Sequence, residues 1–180
     1  MAKTDRRIID KVFVSLGSVA VVVLVVVGIL AAVGYQFATS TVRSELTSQQ
    51  IYFPPKGSPA LDPNEFPGLQ KYAGQLVDNG PKAKAFANEF IAVHLKKVAN
   101  GQTYSQVSAA ALADPTNTAL KQQAQVLFQG ETLRGLLLGD GYAYWTFGQI
   151  AGIVALVTFA GAAVMLLLVL AGLRHIAKQR

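Results

Sequence analysis

Two long runs of apolar residues dominate the pattern of hydrophobic and polar positions along the chain. No charged residue occurs from Val12 to Val42, or from Gly141 to Leu173. A helix needs about 20 apolar residues to cross a bilayer, because it rises about 1.5 Å per residue. Both runs exceed that length, and a buried helix so long and so uniformly apolar is not typical of a soluble domain. The pattern therefore predicts two transmembrane helices, over residues 12–38 and 146–173.

The first apolar run has an alternative interpretation as a cleaved signal peptide. Such peptides have an apolar region of about 7–15 residues, followed by a small-residue cleavage site. Here the apolar region is longer, and the sequence GYQFATS at its end, residues 34–40, has no clear A-x-A site. We therefore expect a retained signal anchor.

Between the two apolar runs the pattern predicts short helices, since no segment alternates apolar and polar residues for long enough to indicate a strand. We expect the first transmembrane helix to continue outward over residues 39–51 for two or three turns. Residues 52–68 contain five prolines and two glycines, which is typical of an extended, partly ordered connector. A short helix is predicted over residues 69–81, ended by the sequence DNGP.

The most regular helix outside the apolar runs is predicted over residues 81–101. Pro81 suits its first turn, and Asn100 with Gly101 favours its end. Four apolar residues recur at helical spacing along this segment. They are Phe86, Phe90, Val93 and Val98.

Two further helices are predicted before the second apolar run. One covers residues 103–115, with Thr103 as its N-cap. The other covers residues 117–139, and glycines 139 and 141 allow a break after it. The chain is therefore predicted to be an all-α membrane protein. Its two transmembrane helices flank a small, mostly helical extracytoplasmic domain over residues 39–145.

The positive charge of the chain lies mainly at its two ends. Of the net charge of +6, residues 1–12 contribute +2 and residues 174–180 contribute +3, whereas residues 39–145 carry nine basic and eight acidic residues. Basic residues beside apolar helices are typical of cytoplasmic ends. We therefore expect a plasma-membrane protein with cytoplasmic tips at residues 1–11 and 174–180. This distribution does not favour nucleic acid as a partner; the tips are expected to meet anionic lipid headgroups of the bilayer.

Residues that commonly carry catalysis are scarce. The chain has no cysteine, no nucleophile elbow and no glycine-rich phosphate loop. The predicted topology places its two histidines, His94 and His175, on opposite sides of the membrane, so they do not share a metal site. The apolar runs contain no Asp, Glu, His, Lys or Arg, which proton relays and ion pathways need. We expect no enzyme, no cofactor and no metal.

Three residues of the predicted external domain are candidates for contact with a ligand or partner: His94, Tyr104 and Arg134. His94 follows Phe90 by four residues and so lies on or beside the apolar face. It either responds to pH or ligand or, as we favour, packs beneath the domain and hydrogen-bonds a backbone carbonyl or Tyr104. Arg134 either reaches lipid headgroups, pairs with Glu131, or holds a carboxylate of a partner.

Small and aromatic residues mark candidate packing and interfacial positions in the predicted membrane helices. Small residues four apart allow helices to approach closely, either within the chain or with another chain. They are Gly148 with Gly152 and Ala151 with Ala155 in the second helix, and Gly28 with Ala32 in the first. Aromatic rings favour the depth where lipid meets water. The candidate interfacial anchors are Tyr142, Tyr144, Trp145 and Tyr35.

Several short elements occur in a recognisable order over most of residues 46–150. They are LTSQQI, AFANEFIAVHL, GQTYSQV, ADP, ETLRGLLL and a second apolar run beginning near YWTFG. In this order they resemble a group of small actinobacterial two-span envelope proteins of unknown function. The residues that match the recurring pattern of that group are His94, Gly101, Thr103, Tyr104, Asp114, Pro115, Leu133 and Arg134.

Members of this group are often labelled aromatic ring-opening dioxygenases, and the sequence argues against that label. Such an enzyme needs iron held by two histidines and a carboxylate in one pocket, whereas the predicted external domain has one histidine. The resemblance implies a membrane topology and supplies no reaction.

Two functions follow as expectations. The first is a non-enzymatic interaction protein, an accessory or structural subunit of a larger cell-envelope complex such as a transporter or respiratory assembly, with other membrane protein subunits as partners. The alternative is an extracytoplasmic module that binds a ligand or lipid. A ligand-binding module should enclose a cavity of about 300–1,000 Å³, lined by Phe86, Phe90 and their neighbours.

Overall fold

The computed structural model describes residues 3–178, with side chains from residue 6 onward. The chain divides into two compact units. One joins the described residues up to Phe37 with those from Gly148 onward, and the other is Ala38–Phe147. The described residues form six α-helices: α1 (Lys3–Ser48), α2 (Gly80–Ala85), α3 (Ala92–Val98), α4 (Tyr104–Ala113), α5 (Thr118–Leu136) and α6 (Tyr144–Lys178). Two π-helices, Phe86–Ile91 and Leu137–Ala143, join α2 to α3 and α5 to α6.

The first unit is an antiparallel pair of helices built from α1 and α6. Gly172 lies against Val14, and Gly34 lies against Ala151, so residue numbers rise along α1 as they fall along α6. The buried positions of α6 recur every seven residues: Gly148, Ala155, Ala162 and Val169. A repeat of seven corresponds to about 3.5 residues per turn, the spacing that keeps one face of a helix against its partner in a left-handed pair.

The outer faces of α1 and α6 are apolar and uncovered. In each of the two long helical runs, Arg6–Ser48 and Thr118–Lys178, only 11% of the most apolar 18-residue window is buried. The core helix of a soluble domain would bury most of such a window. Both runs are long and apolar enough to cross a membrane, so the predicted all-helical class with two candidate membrane helices is confirmed at that level.

The second unit packs α2 to α5 and the connecting segments around one apolar core. The helix predicted over residues 81–101 is confirmed in outline, with α2 and α3 joined through a π-helix. It ends where expected, because Asn100 and Gly101 both have positive φ, 49° and 81°. Helix α4 is also confirmed, with Thr103 at its N-cap.

The prediction of an α-helix over residues 69–81 is wrong. Only a 3₁₀-helix, Pro67–Tyr72, forms there, and Leu76 is extended in an isolated antiparallel bridge with Tyr52. The DNGP sequence starts a helix instead of ending one. The Asn79 side chain accepts a hydrogen bond from the Lys82 N–H at 3.0 Å, and Pro81 occupies the first turn of α2. Both residue types favour a helix N-terminus.

The proline-rich segment, residues 52–68, is irregular as predicted but closely attached to the core. Its helical elements are a single 3₁₀ turn, Pro59–Leu61, and the first two residues of the 3₁₀-helix Pro67–Tyr72. Three of its side chains, Phe53, Leu61 and Phe66, are at most 3% exposed. The prediction of a partly ordered connector therefore understates its order. Three buried apolar side chains attach the segment to the core, while its prolines disfavour an α-helix.

The predicted break at glycines 139 and 141 is absent from the described chain. The helix continues through Leu137–Ala143 as a π-helix. Gly141 instead allows a close approach of helices, because a Cβ atom added there would lie 3.0 Å from the Ala83 Cβ atom of α2. A glycine inside a helix costs about 1 kcal/mol relative to alanine, and the packing of α2 against this segment offsets that cost.

Candidate interaction surfaces

The small residues predicted to pack helices face each other within the chain. A Cβ atom added to Gly28 would lie 2.8 Å from Phe159 Cε1, and one added to Gly152 would lie 2.9 Å from Tyr35 Cδ2. Gly148 and Ala155 are buried in the same pair, and Ala32 is half-buried. These positions join α1 to α6, so the small-residue face is occupied by the chain itself.

The four candidate interfacial aromatics have different surroundings. Tyr35, 38% exposed, packs on Gly152 of the partner helix. Trp145 packs on Gly80 at the start of α2, where an added Cβ atom would lie 2.5 Å from Trp145 Cγ. Tyr144 is 37% exposed.

Tyr142 forms a specific contact with a lysine of α2. Lys84 Nζ donates a hydrogen bond to the Tyr142 hydroxyl at 3.3 Å and lies 4.5 Å from the centre of its ring. The hydrogen bond from Lys84 and its positive charge lower the pKa of Tyr142 from its ordinary value, because both favour the phenolate. Two of the aromatics that the sequence marks as interfacial, Tyr142 and Trp145, therefore also hold α2 in place.

His94 lies in a ring cluster and bonds to the backbone of its own helix. Its Nδ1 is 2.9 Å from the Phe90 carbonyl oxygen. Its ring stacks on Phe66, with centroids 5.5 Å apart and an interplanar angle of 7°, and lies 4.4 Å from the Phe90 ring. This half-buried position has the backbone hydrogen bond and the apolar packing expected of a histidine in the core, and Tyr104 instead contacts Phe128.

Arg134 joins α5 to the first π-helix. Its NH1 donates to Glu131 Oε2 at 2.7 Å, the i−3 pair that the sequence predicts. Its Nε donates to the Ala87 carbonyl oxygen at 3.0 Å, and its NH2 donates to Asn88 Oδ1 at 3.3 Å. The Ala87 carbonyl also accepts the Ala92 N–H of the π-helix. All three guanidinium nitrogens therefore have partners within the domain, which leaves little of this side chain to hold a carboxylate of another protein.

A groove between α4 and α5 carries exposed apolar side chains. Its volume is about 360 Å³. Leu112 is 78% exposed, Phe128 is 50% exposed, and Tyr104 is 39% exposed. All three line the groove. Of these, the sequence singled out only Tyr104, because Leu112 and Phe128 fit an ordinary helix pattern and their exposure depends on how α4 meets α5.

The turn between α4 and α5 is held by Asp114. Its carboxylate accepts hydrogen bonds from the Thr116 hydroxyl at 2.7 Å and the Thr116 N–H at 3.2 Å. The bond from the hydroxyl is the main reason that the pKa of Asp114 lies below its ordinary value. The exposed Asp114 carboxylate therefore stabilises the turn between α4 and α5.

A second groove is formed by the end of α1 and the second π-helix, with a volume of about 330 Å³. Val42, Leu46 and Leu137, all buried, form its apolar floor. Two acidic side chains, Glu45 and Asp140, also line it. Sequence reasoning missed both carboxylates. The sequence offers one signal for them. Glu45 is the first acidic residue after the first apolar run, and Asp140 is the last acidic residue before the second.

Among the described residues, no group of three or more His, Cys, Asp or Glu side chains is arranged to hold a metal ion. His94 and His175 belong to different compact units. No protein-family model, curated protein or solved structure matches the chain. The structure thus defines a class, an all-helical chain with two helices long and apolar enough to cross a membrane, while the resemblance to the small actinobacterial two-span proteins stays a prediction.

Proposed function

We propose that the chain is a non-enzymatic integral membrane protein and an accessory or structural subunit of a larger cell-envelope complex, such as a transporter or respiratory assembly. The observation that carries this proposal is the groove between α4 and α5. Leu112, Phe128 and Tyr104 are exposed there, outside the two apolar runs. Outside the membrane, a contiguous apolar surface would face water. Such a surface is typical of a protein–protein contact.

The orientation of the proposed subunit follows from its charges. Both tips are basic and would lie in the cytoplasm, so the unit Ala38–Phe147 would be extracytoplasmic. In that arrangement the partner meets the α4–α5 groove outside the cell membrane. The outer faces of α1 and α6 then contact lipid or helices of the same complex.

Recovery of partners from membranes tests the proposal. A tagged full chain, extracted in a gentle detergent, should bring down at least one other membrane protein at a fixed stoichiometry. Leu112→Asn should reduce that recovery severalfold, because it places a polar side chain on the apolar contact. Ala110→Asn is the matched control, since Ala110 is exposed on α4 about 160° around the helix from Leu112. A wild-type chain recovered alone would contradict the proposal.

The alternative, a ligand- or lipid-binding module, predicts a cavity at Phe86 and Phe90. Those two rings contact each other, with centroids 4.9 Å apart. Phe86 also meets Phe53 edge to face at 5.1 Å, and Phe90 contacts His94. Phe86 is 7% exposed. The rings that would line a ligand chamber fill the core with one another, which favours the subunit over the binding module.

A further inference from the structure

The groove between α1 and the second π-helix has an apolar floor and an acidic lining. Leu137 and Leu46 of the floor are 1% and 4% exposed, whereas Leu136 and Tyr144, which also line the groove, are 54% and 37% exposed. Gly141, which also lines the groove, has no side chain to fill it. A side chain that entered the groove would therefore cover apolar surface without rearranging the core.

The two carboxylates of this groove have no basic partner among the described residues. Among the described residues, neither the Glu45 nor the Asp140 side chain has a hydrogen bond or ion pair. Other acids of the same unit do have basic partners: Asp78 pairs with Lys82, Glu65 with Lys97, and Glu131 with Arg134. The groove thus presents two negative charges beside apolar carbon, a combination that a cation on an aliphatic stem would complement.

We propose that this groove takes a basic side chain, Lys or Arg, from a partner polypeptide, with the stem on the exposed apolar side chains Leu136 and Tyr144 and the charge beside Glu45 and Asp140. The inference rests on the proposed function, and it names the chemistry of one contact. A phospholipid amine is the competing occupant. The groove volume of about 330 Å³ is at the lower end of the range of about 300–1,000 Å³ for small-ligand pockets, which suits one or two side chains better than a lipid with two acyl chains.

The test uses the full chain in membranes and removes the charges without changing the shape of the groove. The double variant Glu45→Gln/Asp140→Asn should lower recovery of the stoichiometric partner severalfold, because both carboxylates are exposed and water screens an exposed ion pair. Glu89→Gln is the matched control, since Glu89 is an exposed acid of the same unit outside the groove. Circular dichroism and thermal unfolding should show the double variant and the control variant folded like the wild type.

A photo-crosslinker identifies the occupant. Benzoylphenylalanine in place of Gln49, which is exposed and lines the groove, should crosslink to a partner peptide that carries Lys or Arg beside apolar residues. A crosslink to phospholipid or to a second copy of the chain would overturn the inference. Full retention of the partner by the double variant would also overturn it while leaving the proposed function intact. If the wild type has no stoichiometric partner, the inference and the proposed function both fail.

Discussion

At the scale of single residues, Gly130 and Gly135 of α5 have opposite surroundings. A Cβ atom added to Gly130 would lie 2.8 Å from Leu95 Cδ1 and 3.0 Å from Leu95 Cγ. Leu95 is 7% exposed and lies in the apolar core, so its side chain would have to repack to admit the added carbon. A Cβ atom added to Gly135 would have no such neighbour within 4 Å among the described residues. Alanine substitutions at these two positions therefore distinguish the effect of close packing from the effect of helix propensity within one helix.

We predict that Gly135→Ala raises the thermal stability of the protein and Gly130→Ala lowers it. Alanine favours a helix interior by up to about 1 kcal/mol over glycine, and at Gly135 nothing opposes that gain. At Gly130 the added methyl overpacks the contact with Leu95, which costs about 1–3 kcal/mol. Thermal unfolding of the full chain in detergent measures both changes. A shift of the same sign in both variants would contradict the explanation.

Residue contacts were predictable where both partners lie close together in the sequence. Thr103 and Gln106 form a complete capping box, with 2.8 Å from the Thr103 N–H to Gln106 Oε1, and the sequence predicts this N-cap. The bond from Arg134 to the Ala87 carbonyl joins residues 47 apart. No local pattern marks such a contact, because it depends on the packing of α5 against a π-helix. The groove that contains Glu45 and Asp140 was missed for the same reason.

At the scale of elements, the pairing of α1 and α6 has a definite register. A Cβ atom added to Gly34 would lie 3.9 Å from the Ala151 Cβ atom. Disulfides need a Cβ to Cβ distance of about 3.5–4.5 Å. Since the chain has no cysteine, two introduced cysteines would report on this contact without background.

We predict that Gly34→Cys/Ala151→Cys forms an intramolecular disulfide when membranes are oxidised. Non-reducing electrophoresis after a protease cut between the two helices would show the fragments still linked. Gly34→Cys/Ile153→Cys is the matched control, because Ile153 is 62% exposed and faces away from the pair. Linked dimers without the intramolecular bond would mean that the two helices pack between copies of the chain.

Apolar length and helix caps were sufficient to predict the long helices but not how they are joined. The run of apolar residues is a property of composition, so α1 and the apolar part of α6 follow from it directly. Leu137–Ala143 continues as a π-helix where Ala83 of α2 approaches Gly141 closely, a contact between distant parts of the sequence that no local pattern marks. Similarly, Asn79 and Pro81 are compatible with the end of one helix or the start of the next. The hydrogen bond that Asn79 accepts from the Lys82 N–H shows that they start one.

At the scale of the whole molecule, the charges at the two ends predict which side of the membrane each part occupies. The basic tips contribute +2 and +3, while residues 39–145 are nearly balanced. The positive-inside rule applies to short segments beside membrane helices and says little about a long connecting segment. The tips therefore determine the predicted orientation, and a residue between the two helices should be reachable from outside the cell.

We predict that a cysteine in place of Lys56 reacts with a membrane-impermeant maleimide in intact cells, whereas Ala177→Cys reacts only after the membrane is opened. Lys56 suits this test because it is exposed and caps no helix, unlike Ser58, which accepts a hydrogen bond from the Ala60 N–H. Ala177 is exposed near the basic C-terminal tip. The native chain has no cysteine and serves as the unlabelled control. Labelling of Ala177→Cys but not Lys56→Cys in intact cells would reverse the orientation, and the α4–α5 groove would then meet cytoplasmic partners.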